Sequence, residues 1–219
     1  MKTYTGILEQ LTAFKASLLQ IAEYTDPFGK LHCVVIFDKD PQDLVPGMKP
    51  VRNWCVRNKL PFPLVVDREF IESSQDSYPL ELLSFSHHYR NIYNAVDMLA
   101  GLKLQKADVR LQMERELKSK WLLTRMALLE HSLSETRTAG LIRMSVSSLL
   151  PVFKGFLFLS GTGIAQELGS LMEQTQKVTG MDLSLIRTLS NSKKTDLQTA
   201  TQYLGIISAL LKFLDEGKL

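Results

Sequence analysis

The 219-residue sequence predicts an α+β fold: a small sheet-containing domain followed by an all-α helical bundle. Three observations predict it. Short β-branched runs bounded by Pro and Gly are confined to the first 85 residues. Beyond about residue 87 the apolar residues recur only at helical spacing. Strands followed by a block of helices segregate into a small α/β unit and a bundle. The change of character sets domains of 1–86 and 87–219.

The elements follow in order. Ile7, Leu8, Leu11, Phe14, Leu18, Leu19 and Ile21 recur at spacings of three and four, which predicts an amphipathic helix over 5–24. Asp26-Pro27-Phe28-Gly29 ends it. Leu31 to Phe37, LHCVVIF, reads as a buried strand. Asp40-Pro41 opens a loop that includes Pro46-Gly47. A helix is expected over 51–58 with Trp54 facing inward. Strands are expected at 64–66 and 80–85, with Pro61, Pro63 and Pro79 at their edges.

In the second half 91–99 is predicted helical, and Asp108 can cap a long helix to about Ser132. Val109, Met113, Leu117, Trp121 and Leu128 lie along one side of it. His131 would sit at its C-terminal end, where the dipole favours a cation. Further helices are expected at 137–150, 151–159, 164–178, 182–190 and 196–215. No strand pattern occurs after Phe85, and no internal repeat or low-complexity segment is present.

The totals exclude several classes. Apolar residues make up 45% and charged residues 22%, which rules out wholesale disorder. The net charge is +3, divided as −2 over residues 1–84 and +5 over 85–219. A surplus this small and dispersed does not predict a nucleic-acid partner. Cys33 and Cys55 are too few for a disulfide framework and read as thiols of a reducing compartment. The N-terminus lacks an apolar signal core. The run Leu149–Leu159 is broken by Pro151, Lys154 and Gly155 and falls short of the ~20 residues of a spanning helix. A cytoplasmic protein without a membrane partner is expected.

Several separated segments carry a resemblance. PFPLVVDREFIESSQDSYPLEL, then DVRLQMERELKSKWLLTRMALLE, SSLLPVFKGFLFLSG and TQYLGIISALLKFLDE occur in a fixed order over residues 50–216. Together they resemble a group of bacterial nucleotidyltransferase-like proteins, which pair a small mixed-sheet nucleotidyltransferase domain with a C-terminal helical bundle. The resemblance implies a Gly-Ser turn whose N–H groups hold a triphosphate. It also implies two carboxylates one residue apart on a strand, holding Mg²⁺. A third carboxylate would complete the metal site or accept the proton of the attacking hydroxyl.

Set on that pattern, the chain is depleted. Gly29, Lys30, Leu31 and His32 stand where the paired acids belong, and Glu23 to Phe28 is too short for the Gly-Ser turn. Glu81 in PLEL matches the third acid, but one carboxylate holds Mg²⁺ weakly. Asp38 and Asp40 have the right spacing and follow a strand, where α/β folds place ligands. The plain reading is a polar turn before Pro41.

Other candidates carry less. Adjacent His87 and His88 diverge and chelate poorly, unless His32 or Glu81 joins them. Cys33 reads as a core residue, whereas Cys55 near Arg52 and Arg57 could have a lowered pKa. Gly161-Thr162-Gly163 lacks the strand and Lys-Ser/Thr of a phosphate loop and reads as a helix connection. Arg110, Arg115, Lys118, Lys120 and Arg125 mix with Glu114 and Glu116, as on a solvated helix face. The sharper reading is a basic groove at the domain junction, joined by Arg90.

The sequence therefore predicts a non-catalytic nucleotidyltransferase-like protein that binds a nucleotide-like ligand or a protein partner between its domains. Arg90 and Arg110 are the candidate ligand-binding residues. The first alternative is an active Mg²⁺-dependent nucleotidyltransferase using Asp38, Asp40, Glu81 and a nucleoside triphosphate. The second is a bundle scaffold for oligomerisation or docking, with 149–159 and 203–214 as surfaces.

Overall fold

The computed structural model describes residues 3–130 and 134–217. His131 and Ser132 lie outside the described residues. The chain is α+β and forms two compact units, Met1–Gln105 and Lys106–Leu219.

The first unit is built on a four-stranded mixed sheet of order β3-β2-β1-β4. A short helix α1 (Ile7–Gln10) and a 3-10 turn (Thr12–Ser17) lead into β1 (Leu18–Thr25). An antiparallel hairpin joins β1 to β2 (Leu31–Phe37). Its turn is held by Asp26, whose Oδ1 accepts from the N–H groups of Phe28 and Lys30, both at 2.9 Å. Gly29 takes φ +79° there, a conformation that costs glycine little. A crossover through α2 (Leu44–Gly47) and α3 (Lys49–Asn58) then brings β3 (Leu64–Asp67) parallel to β2. Next come α4 (Arg68–Ser73) and α5 (Pro79–Ser86). Finally β4 (Arg90–Asn94) pairs antiparallel with the other side of β1.

Both faces of the sheet are covered. Cys33, Val35 and Phe37 alternate with Val34 and Ile36 along β2. The first set packs with Ile7, Leu11, Phe14, Val51 and Cys55. The second packs with Ala22, Val66, Ile71, Leu82 and Phe85.

Four expectations are corrected here. The helix expected over 5–24 is a helical turn followed by the central strand. β1 is buried at all six positions from Leu18 to Glu23, so it shows no alternation, and its residues fall by accident into register with Ile7, Leu11 and Phe14. The strand expected at 80–85, bearing Glu81, is instead α5, a short apolar run with Pro79 in its first turn, where proline suits a helix. The helix expected over 91–99 is β4 and the loop after it, hidden because an edge strand of sequence RNIYN has few apolar residues. Since β4 belongs to the sheet, residues 87–105 lie in the first unit and not with the bundle.

The second unit contains α6 (Lys106–Glu130), α7 (Glu135–Ser160), α8 (Leu168–Thr179), α9 (Ser184–Leu189) and α10 (Leu197–Asp215). The two helices expected at 137–150 and 151–159 are one, with Pro151 inside it. Burial of Leu149, Leu150, Val152, Phe153, Phe156 and Leu157 outweighs the one backbone hydrogen bond that proline removes. By length and composition α7 could cross a membrane, but 61% of its most apolar window is buried inside the bundle, as in a core helix. That burial also removes 149–159 as a docking surface. Thr124 on α6, Ser145 on α7 and Tyr203 on α10 are linked by hydroxyl hydrogen bonds of 3.2 and 2.7 Å.

Candidate functional site

The sequence-predicted acids occupy separate elements of the first unit. Asp38 follows β2 and accepts a hydrogen bond from Arg68 Nε at 2.7 Å, with 52% of its side chain exposed. Asp40 is exposed in the loop beyond. Glu81 stands in the first turn of α5. Among the described residues no three His, Cys, Asp or Glu side chains are grouped to hold a metal ion. His32 is engaged with Asp26 at 2.9 Å, and the His87 and His88 rings sit edge to face.

The two arginines have structural partners. Arg90 on β4 donates through Nε to Glu23 Oε1 at 3.0 Å, and through its terminal nitrogen to Thr3 Oγ1 at 3.1 Å. Burial acts to raise the Glu23 pKa, but the Tyr4 N–H, Arg90 and Thr3 together hold it below the usual carboxylate range. Arg110 donates to the carbonyl of Leu214 and lies 3.6 Å from Glu114, fastening α6 to the end of α10.

Cys55 is corrected as well. Burial pushes its thiol up, despite Arg52 and Arg57 in the same helix. Burial pushes Cys33 up further still. Both shifts disfavour the thiolate, the form that attacks. Gly161 ends α7 in a left-handed cap, as a helix connection requires.

Two of the concave surfaces of the first unit are lined in part by β3. One lies at the carboxyl ends of β2 and β3, lined by Asp38, Lys39, Asp67, Arg68, Glu69, Glu72 and Ser73. This is where α/β sheets bind ligands. Its charges are already opposed, however. Arg68 pairs with Asp38 and lies 3.8 Å from Glu72, while Asp67 caps α4 by accepting from Phe70 N–H at 2.8 Å. Four acids against two bases repel a phosphate.

The other is a cavity of 360 Å³ between α2, α3 and β3. Leu44, Val45, Met48, Phe62 and Val65 form its apolar wall, and Lys49 and Arg52 stand at its rim. That volume and that mix suit a small ligand. The wall depends on close packing behind it: a Cβ on Gly47 would come within 2.1 Å of Phe14 Cζ, so only glycine fits unless the ring moves. Phe14 in turn packs edge-on against Phe37, centroids 5.9 Å apart.

The cationic rim continues along α3. Lys49, Arg52, Asn53, Val56 and Arg57 share one helix face and, with Gln10 and Pro50, line an adjoining concavity. Val51 and Cys55 hold the opposite face in the core. Among the described residues Lys49, Arg52 and Arg57 form no ion pair.

No family model, curated protein or solved structure matches this chain. The reading of its function therefore rests on its own residues. Sequence reasoning missed this cavity. Its signals were present: Pro46-Gly47, a helix with three bases on one face, and Phe62 set between two prolines.

Proposed function

We propose that this chain acts by binding and not by catalysis, and that the cavity between α2, α3 and β3 receives a nucleotide-like ligand. Lys49 and Arg52 carry the proposal: two exposed cations without acidic partners among the described residues, set on the rim of an apolar cavity. A flat ring would lie against Phe62, Met48 and Val65, where apolar burial supplies affinity. Phosphate oxygens would meet Lys49 and Arg52, forming charge-assisted hydrogen bonds. Such binding needs no metal, because the cations are the protein's own.

The transferase reading gains no support from the geometry. Asp38 is neutralised by Arg68, and Glu81 stands on a helix and not on a neighbouring strand. A nucleotidyltransferase-like ancestry that lost its Gly-Ser turn and paired acids agrees with both points. Titration calorimetry with ATP, CTP, GTP and UTP, each with and without Mg²⁺, tests the proposal. Binding that is indifferent to Mg²⁺ and weakened by Arg52→Ala is expected. Binding that requires Mg²⁺ and is lost in Asp38→Asn would overturn it in favour of the transferase.

A further inference from the structure

We propose that the outward face of α6 is a docking seam for an acidic amphipathic helix of another protein. Leu111, Arg115, Lys118, Leu122, Arg125 and Leu129 follow one another at steps of four, three, four, three and four residues. That spacing keeps all six on one face of the helix, three of them apolar and three cationic. The line spans about 27 Å at ~1.5 Å per residue. It lies opposite Val109, Met113, Leu117 and Thr124, which face the bundle core.

The apolar members are well exposed: Leu111 56%, Leu122 52% and Leu129 71%, with Met126 beside them at 49%. A lone surface leucine needs no explanation, but Leu122, Met126 and Leu129 are helical neighbours and form a patch, with Leu111 about 16 Å further along the line.

Charge selects the occupant. The line carries Arg115, Lys118 and Arg125 and no acid. Glu114, on its flank, lies 3.5 Å from Lys118, and Arg125 stacks over Trp121 at 5.0 Å. A partner helix must therefore bring carboxylates to the seam. A second copy of this seam does not complement it. Antiparallel pairing of α6 with itself sets Arg115 against Arg125, and parallel pairing sets each cation against its twin; like charges so placed are costly. A lipid surface fits less well, because half of the line is cationic and its apolar residues are broken up, with Trp121 on its flank as the one aromatic beside it among the described residues.

The test uses the full chain and two synthetic helices of about four heptads. One carries Leu and Glu along a single face; the other has Lys in place of each Glu. Fluorescence anisotropy should show the acidic helix binding roughly tenfold tighter or more, with affinity falling as salt rises from about 50 to about 300 mM. The triple variant R115E/K118E/R125E should reverse that preference, and Leu122→Asp should abolish binding. Unchanged circular dichroism and melting of both variants establish that they fold. Equal binding of the two helices, or binding of neither, overturns the proposal. So does a dimer by sedimentation that Leu122→Asp dissolves, or binding to anionic phospholipid vesicles without binding to the acidic helix.

Discussion

Arg68 Nε donates to Asp38 Oδ1 at 2.7 Å, joining the first residue of α4 to the residue that follows β2. The contact neutralises the carboxylate that a metal-dependent reading needs most. Both side chains are well exposed, so solvent screens the pair and it contributes little to stability. Asp38→Asn should therefore leave both the melting temperature and nucleotide affinity nearly unchanged. A calorimetric titration of that variant, compared with the parent, checks this.

The cationic rim of the cavity behaves differently. Lys49→Ala and Arg52→Ala should each weaken an anionic ligand by roughly tenfold or more, since hydrogen bonds between charged groups are worth about 1.5–3 kcal/mol. Phe62→Ala should weaken it several-fold by removing apolar contact. All three residues are at the surface, so far-UV circular dichroism should not change. Equal affinity in all three variants would place the ligand elsewhere.

Gly47→Ala tests the packing behind the cavity. The new methyl group meets the far end of the Phe14 ring, which must turn against Phe37. Overpacking of this kind costs about 1–3 kcal/mol. Chemical denaturation should show that loss, and adding Phe14→Leu should recover part of it by making room.

Acid should loosen the sheet at two carboxylates. Glu23 is held low as described. Burial tends to raise Asp97, but Tyr89, the Ala100 N–H, Asn91 and Gln20 lower it on balance. Tyr89 is itself pushed up to about 12 by burial and by Asp97. A depressed folded pKa gives stability that is complete above the unfolded value, here near 4.5 for Glu23 and 3.8 for Asp97, and lost as pH falls through the folded value. Melting temperature should thus be level above about pH 5 and decline below it. Glu23→Gln should flatten the decline and cost about 1–3 kcal/mol at neutral pH.

The helical half was readable because amphipathic periodicity survives wherever one face is wet. Val109, Met113 and Leu117 recur at the interval that α6 shows. β2 was readable from its β-branched run. β1 and β4 were not, for opposite reasons. Leu18 to Glu23 is buried on both faces, so no pattern separates strand from helix, and buried Gln20 and Glu23 disguise it further. Those two are tolerated because Gln20 meets Asn91 and Asp97, and Glu23 meets Arg90 and Tyr4, partners up to 77 positions away. The cavity was hidden likewise: Lys49 and Arg52 are ordinary surface bases until β3 brings Val65 beside them.

Because β4 closes one side of β1, a fragment ending near residue 86 would bare the backbone of the central strand along Gln20 to Glu23. That row of unpaired N–H and C=O groups is a template for other chains. Such a fragment should precipitate, whereas one carried to residue 105 keeps its sheet complete. The same exposure arises transiently on the ribosome. β1, β2 and β3 emerge well before Arg90 to Asn94, so the nascent chain passes through an adhesive interval that ends only when the last strand arrives.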